Sequence, residues 1–385
     1  MTLTAAVIGG GPAGAACAWR LARAGVRTLL FERDPEREKP CGGGLTERAF
    51  VALPELRDLS LPWLEVCEWQ MFGPYRQSVT MNLGQPVRIL SRRELDGALR
   101  REAAKAGAAL VFEPVRRLAP RVGGGWQIND HAADVVVGAG GMRDPVAQHV
   151  GMALKREEQA VALGRFVPGR FPPRIITSFL PERRGYLWWF PRPDHASYGL
   201  ELPATRFDTA TAKKILQEFA AKHLPGVDVN QGAPYGWTGP AVAEPSDPLR
   251  RYAGPDWLLV GDAAGLCDGT TGEGLSYALA SGVLAAEAIA RGEPASYERR
   301  LRADVLPDLT KAAHLQPKFY RPRLLAMAMW LLKRSPTYRQ ISRELAHGRQ
   351  NYLTLRERTL GNGPRICWEA LQNRVDDSPE IAGKK

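Results

Sequence analysis

Cross-linking residues are scarce in this 385-residue chain. Its five cysteines, at positions 17, 41, 67, 267 and 367, are odd in number and scattered, and no two share a CxxC spacing. Reduced thiols are therefore expected, with neither a disulfide framework nor a structural metal site. Long apolar runs are missing too: none reaches the roughly 18 residues that a bilayer-crossing helix requires. The N-terminus enters an apolar strand directly, without a basic leader or cleavage site, so no signal peptide is expected and a cytoplasmic location is. No repeat, low-complexity tract or recognised nucleic-acid-binding motif occurs, which removes nucleic acid from the expected partners. Even lysine is rare at the start, where Lys39 stands alone before Lys105.

Glycine is abundant, with 39 residues, and three clusters of it carry information. Gly9-Gly10-Gly11-Pro12-Ala13-Gly14 follows the apolar strand Ala5-Ala6-Val7-Ile8 and opens a helix expected to reach about Ala24. A second strand, Arg27 to Phe31, ends in Glu32 and Arg33. Strand, turn, helix, strand and acid in that order describe a dinucleotide site. Gly9 makes the tight turn. Gly11 lets the backbone approach a pyrophosphate at the helix N-terminus, where Pro12 and Ala13 begin the helix, and Gly14 permits close helix–strand packing. Glu32 is placed to accept hydrogen bonds from ribose hydroxyls, and its charge disfavours a 2′-phosphate. The other clusters are Cys41-Gly42-Gly43-Gly44 and Gly261-Asp262-Ala263-Ala264-Gly265, the latter continuing to Thr271-Gly272-Glu273-Gly274. The third lies some 250 residues after the first, a separation that predicts FAD lying across a two-domain chain.

Residues 155–250 show strand-like alternation with many prolines and two aromatic-rich stretches, and a parallel strand returns at Trp257-Leu258-Leu259-Val260. The expected fold is α/β: a Rossmann-like FAD-binding domain of glutathione-reductase type, an inserted antiparallel β-sheet substrate domain, and a C-terminal helical segment. The expected boundaries are 1–60, 91–154 and 252–295 for the discontinuous FAD-binding domain, 61–90 and 155–251 for the substrate domain, and 296–385 for the helical region.

The formal charge of +11 is concentrated at one end. From Lys311 onward there are fifteen Lys/Arg against six Asp/Glu, a net +9, which leaves +2 for everything before it. This segment holds the longest apolar run, Leu324 to Leu332, with Arg321 and Arg323 ahead and Lys333 and Arg334 behind. Two readings stand: a helix peripheral on an anionic membrane surface at the cytoplasmic face, or a helix packed on the core with its arginines in water.

These motifs resemble the flavoprotein group containing p-hydroxybenzoate-type hydroxylases, flavin halogenases and geranylgeranyl reductases, and the likeness is strongest to the geranylgeranyl reductases. It covers residues 3–295 and rests on Lys39-Pro40-Cys41-Gly42-Gly43-Gly44, similar to a Pro-Cys-Gly-Gly loop, on Tyr186-Leu187-Trp188-Trp189-Phe190-Pro191 with Gly199 beyond, similar to a Tyr-x-Trp-x-Phe-Pro segment, and on the second flavin motif, Gly261 to Gly274. The resemblance implies that Asp262 binds ribose or ribityl hydroxyls, that Gly272, Glu273 and Gly274 pass beside the flavin ring at a helix N-terminus, and that Arg92 contacts the FAD phosphates. Two departures are informative. Gly138-Ala139-Gly140-Gly141 lacks the Asp-Gly of many hydroxylases, and Arg192 stands where the reductase motif continues with lysine.

An isolated trisubstituted C=C accepts hydride poorly, because nothing delocalises the added charge. Its reduction needs a proton at one carbon while positive charge develops on the other. Aromatic faces stabilise such charge by roughly 0.5–2 kcal/mol each, and on a strand Tyr186, Trp188 and Phe190 share a face. They are the expected substrate-binding residues. Cys41 and Tyr186 are the candidate catalytic groups, alternatives as proton donor, while Cys17 and Cys267 are expected to be structural and His195 a turn residue. The sequence thus points to an FAD-dependent reductase saturating C=C bonds of a polyprenyl (geranylgeranyl-type) lipid or diphosphate. Its electron donor is left open among ferredoxin, quinol and NAD(P)H. The alternatives are a flavin monooxygenase or halogenase acting on an aromatic or polyketide, and a membrane-associated lipid-carrier-binding flavoprotein with little turnover.

Overall fold

A computed structural model describes residues 3–373; positions 1, 2 and 374–385, the end of the expected helical region among them, lie outside the described residues. Five parallel strands form the first sheet, in the order Trp257–Leu259, Val135–Gly138, Thr4–Ile8, Arg27–Phe31, Ala109–Val111. Their near-continuous Val, Ile, Leu and Ala content suits strands covered on both faces. Helices Pro12–Arg23, Arg92–Lys105 and Leu275–Ala290 pack with them into one core. A small antiparallel meander, Leu118–Pro120, Trp126–Ile128 and His131–Ala133, adds Trp126 and Ile128 to that core. The turn of the meander is Gly123-Gly124-Gly125, each with positive φ.

The second sheet has eight strands, in the order Ala233–Pro240, Gln159–Pro168, His195–Pro203, Gly185–Pro191, Arg174–Leu180, Leu64–Phe72, Ser78–Ile89, Gly44–Leu45. It is antiparallel except where Arg174–Leu180 runs parallel to Leu64–Phe72. That junction departs from the wholly antiparallel sheet expected from sequence: two antiparallel segments far apart in the chain meet side by side, and pattern alone does not set their relative direction. One face of the sheet packs Leu187, Trp189, Leu200 and Leu202 against helix Thr209–His223. Alternation turns Tyr186, Trp188 and Phe190 to the opposite face.

Among the described residues six helices follow residue 295, from Ser296–Asp304 to Gly363–Gln372. Among them Pro322–Arg334 carries the longest apolar run, and its spacing decides its placement. Leu325, Met329 and Leu332 recur at helical intervals and are buried against Val66, Met71, Met81 and Val87 of the wide sheet. The apolar face is therefore core, as the second of the two sequence readings holds; Leu324 and Met327 turn outward. Pro322 at the first helical turn suits its start, and Ser335 caps the next helix, accepting a hydrogen bond from Tyr338 N.

Candidate active site

A cavity of about 720 Å³ lies where the glycine turns meet the inner face of the wide sheet. Gly9, Gly11, Pro12, Ala13, Glu32, Arg33, Cys41, Gly42, Gly43, Arg92, Gly261, Asp262, Gly272, Glu273, Gly274, Tyr186, Trp188 and Phe190 all line it. Gly14 does not reach it. A Cβ there would sit 1.9 Å from the Gly9 carbonyl oxygen, so Gly14 acts by letting the helix close on the turn. Gly9 has φ +111°, and a Cβ on it would meet Ala139 O at 2.4 Å. At Gly11 the nearest atom to such a Cβ is 4.0 Å away, leaving open space at the helix N-terminus.

The strand Gly185–Pro191 touches two of the glycine loops. The Phe190 ring packs on the Cys41 loop, where a Cβ at Gly42 would stand 3.0 Å from a ring carbon. The Tyr186 hydroxyl lies against Gly272, whose φ is +72° and whose Cβ would come within 2.3 Å of it. Trp188 sits between them, its indole N–H donating to Ser197 Oγ at 3.2 Å. Glycine is needed at 42 and 272 because these rings occupy the space.

Charge is organised around the loops. Asp262 Oδ2 is 2.6 Å from Lys39 Nζ. Burial works against its ionisation, but Lys39, with Arg92 and Arg37, holds the carboxyl below its ordinary range. Both Lys39 and Arg37 lie over the Trp237 ring. Arg92 is buried and bonded twice to Asp96 at 3.0 Å. Glu32 accepts from Gly10 N and Asp34 N, both at 2.9 Å, which shapes the turn and leaves its carboxylate at the cavity wall.

Arg192 is 1% exposed and bonds to Glu38 and to the Cys41 carbonyl, each at 2.7 Å. Its Nη1 also lies 3.0 Å from His195 Nε2, while Nδ1 of that ring faces Asp194 at 2.6 Å. Burial and Arg192 lower the His195 pKa, so a neutral ring accepts from Arg192 and donates to Asp194. The turn residue expected from sequence is the first residue of a strand and part of this brace. Cys41 Sγ accepts from Gly43 N at 3.3 Å. Cys17 is fully buried in the first helix. Cys267, expected to be structural, lines the cavity, and burial pushes its thiol well above the ordinary value.

Sequence reasoning missed three features. Glu201 lines the cavity beside Tyr186; its signal was a lone acid in an apolar alternating strand. Trp237 reaches the same wall from the last strand of the sheet. The C-terminal helices hold the second flavin loop: Tyr352 OH donates to Asp268 Oδ2 at 2.7 Å, Gln316 to Gly269 O at 2.6 Å, and Thr270 Oγ1 to Ala312 O at 3.1 Å.

Residues 7–49 match the NAD(P)-binding Rossmann-like domain. The geranylgeranyl diphosphate reductase of Rhodobacter capsulatus is 30% identical over 77% of this chain and 78% of its own length. The chain belongs to the geranylgeranyl reductase family. A digeranylgeranylglycerophospholipid reductase of Methanothrix thermoacetophila is 26% identical over 82% of the chain and 87% of its own length. The fold also matches the crystal structure of a geranylgeranyl bacteriochlorophyll reductase-like protein from Thermoplasma acidophilum, with a TM-score of 0.73 at 23% identity, over 94% of this chain and 100% of that one.

As a geranylgeranyl reductase-like oxidoreductase the protein uses FAD, and the cavity fits that group on its own terms. The cradle at Gly9 and Gly11 is one a side chain would fill or strain, and it opens on a helix N-terminus suited to an anion. Arg33, Arg37, Lys39, Arg92 and Arg143 line the cavity, charge enough for a pyrophosphate. The start of helix Leu275–Ala290, with Glu273 accepting from Ser276 N at 2.8 Å, follows the loop that would pass the flavin ring.

Proposed function

We propose that the protein saturates C=C bonds in a polyprenyl chain carried by a lipid or diphosphate. The observation that carries this reading is the continuity of the cavity. From the Tyr186, Trp188 and Phe190 face, beside the flavin loops, its wall continues through Met71, Met81, Val87, Ile175, Leu325 and Met329. A long branched hydrocarbon has the chemistry to fill such a wall, and burying it stabilises by about 25 cal/mol per Å².

Bound and reduced, FAD supplies a hydride. The chain's own groups do the rest. Gly9, Gly11, Ala13, Arg33 and Arg92 are placed to hold the nucleotide, and Gly272 to Gly274 the ring. The Arg192 brace fixes the Cys41 loop so that Cys41 stands at the cavity wall. Trp188 and Phe190 present π faces to a substrate carbon that gains positive charge on protonation. The apolar wall excludes water, so a protein acid delivers the proton.

The partner proposed for the outer surface is an anionic membrane. On helix Pro322–Arg334 the side opposite the cavity exposes Leu324 (39%) and Met327 (53%), and the adjoining helix Gly363–Gln372 exposes Trp368 (64%) and Leu371 (73%). Arg321, Arg323 and Arg365 are exposed in the same segment. Apolar side chains among cations suit the interface of an anionic bilayer, and the helix they sit on also walls the lipid cavity. Among the described residues no helix is long and apolar enough to cross a membrane.

The test of the function is anaerobic: dithionite-reduced protein mixed with geranylgeranyl diphosphate or geranylgeranyl lipids. Products heavier by about two mass units per double bond are expected, from the two-electron chemistry of the cofactor. Unchanged lipid, with oxygenated or halogenated product appearing only in air, contradicts the reading.

A further inference from the structure

We infer that Glu201 is the acid that protonates the substrate double bond, a role that rests on the function proposed above. Glu201 pairs with Tyr186 on one side and with Ala162 on the other; Ala162 pairs with Trp237, and Tyr186 with Phe179. All five line the cavity, so one row across four strand junctions faces it and Glu201 is its only carboxyl. Directly opposed residues in such a ladder have Cβ atoms about 5 Å apart, which puts the carboxyl within a side-chain length of the Tyr186 ring and of the loop on which that ring rests.

The carboxyl differs from the other acids of the cavity. Asp268 accepts hydrogen bonds from Tyr352 OH, Thr270 N and Thr271 Oγ1. Glu273 accepts from Ser276 N and Oγ, and Asp262 is paired with Lys39. Among the described residues Glu201 accepts none, although it is half-buried in an apolar wall. The charged or titratable groups that face it are Tyr186 from the neighbouring strand, Lys39 from the loop after the second strand, Asp262 and Cys267 from the second flavin loop, and Tyr320 at the end of helix Leu306–Phe319. Burial first and Asp262 second push the carboxyl up, Lys39 pulls it down, and it rests at about 7. Burial drives the Tyr186 phenol and the Cys267 thiol well above their ordinary values. An isolated alkene is a weak base and needs the strongest acid that is still protonated at working pH, which a carboxyl held near neutrality supplies better than these phenol and thiol groups.

In the step, the alkene π pair takes the Glu201 proton at one carbon and the adjacent carbon receives the hydride supplied by the reduced flavin. One C–H bond comes from each source, the O–H bond of Glu201 breaks, the substrate is reduced by two electrons and the flavin is oxidised. Glu201 is left as a carboxylate and regains its proton from water when product leaves.

The experiment compares wild type, Glu201→Gln and Tyr186→Phe, each loaded with FAD and reduced, in anaerobic single turnovers with a geranylgeranyl lipid. E201Q is expected to keep the flavin spectrum of the wild type and to slow saturation by roughly 10²-fold or more. The wild-type and Y186F rates should fall as pH rises through about 7, and E201Q should lack that limb. Infrared difference spectra of the wild-type protein, taken below and above that pH, should show one carboxylic acid band that titrates and is absent from E201Q. A wild-type rate and pH profile in E201Q, or no such band, overturns the assignment while leaving the function standing. If the wild type saturates no lipid, the function itself fails and this role with it.

Discussion

Arg192 shows how one side chain can hold a loop that packing alone would leave loose. Cys41 sits in a glycine run with few side chains to anchor it, and the guanidinium bonds its carbonyl while neutralising Glu38. Arg192→Met should cost roughly 3 kcal/mol in urea unfolding, because it strands a partly buried carboxylate. Adding Glu38→Gln should recover part of that loss. At Gly272, an alanine meets both a positive φ and the Tyr186 hydroxyl. With about 1–2 kcal/mol of backbone strain alone, Gly272→Ala should weaken FAD retention about tenfold or more, read from flavin absorbance after purification. Much at this scale was legible: the glycines and Glu32 announce themselves because backbone geometry demands them. Glu201 was not, since a single acid in an alternating strand reads as solvent-facing until the neighbouring strands turn that face toward a cavity. The partner of Asp262 was hidden for a related reason, Lys39 lying 223 residues from it in the chain.

Elements carry the next level. The aromatic strand works because its period of two separates Leu187 and Trp189, buried against helix Thr209–His223, from the three rings facing the cavity. That much follows from pattern, whereas the parallel junction between Arg174–Leu180 and Leu64–Phe72 does not. The helix Pro322–Arg334 separates its two roles by face. Met329, 1% exposed, contacts the cavity and the wide sheet, and Met329→Asp should destabilise by several kcal/mol because its charge finds no partner. Met327→Asp should leave the unfolding midpoint nearly unchanged and lower co-sedimentation with anionic liposomes. Equal binding by wild type and M327D would place the membrane contact elsewhere. Apolar run and flanking charge were visible in sequence, but which face met the protein was settled only by the i, i+4, i+7 contacts of Leu325, Met329 and Leu332.

At the scale of the whole molecule, the FAD-binding turns, the wide sheet and the C-terminal helices enclose one cavity, so ligand and fold are linked. FAD at a hundredfold excess over its Kd should add about 2.7 kcal/mol to stability, visible as a concentration-dependent rise in Tm. Proton linkage should show as well. Burial raises Asp144 to about 6. A folded-state pKa above the ordinary 3.8 contributes stability that is complete below about pH 4 and lost as pH rises through 6. That loss amounts to roughly 3 kcal/mol. Asp144→Asn, which keeps the helix cap, should flatten this decline in urea titrations. The architecture as a whole was readable because nucleotide turns, sheet periodicity and helix caps are local. The closure of the cavity by the tail was not, since Tyr352 and Asp268 are 84 residues apart.

The central proposal is that electrons stored on the cofactor pass to a C=C bond of a lipid held in that cavity. The direct measurement is anaerobic: reduce the bound FAD fully, remove excess reductant, add a geranylgeranyl lipid, and follow the visible spectrum alongside product mass. The account predicts return of the oxidised flavin spectrum with one double bond saturated per flavin. A flavin that stays reduced in the presence of the lipid, and reoxidises only when oxygen is admitted, would contradict it.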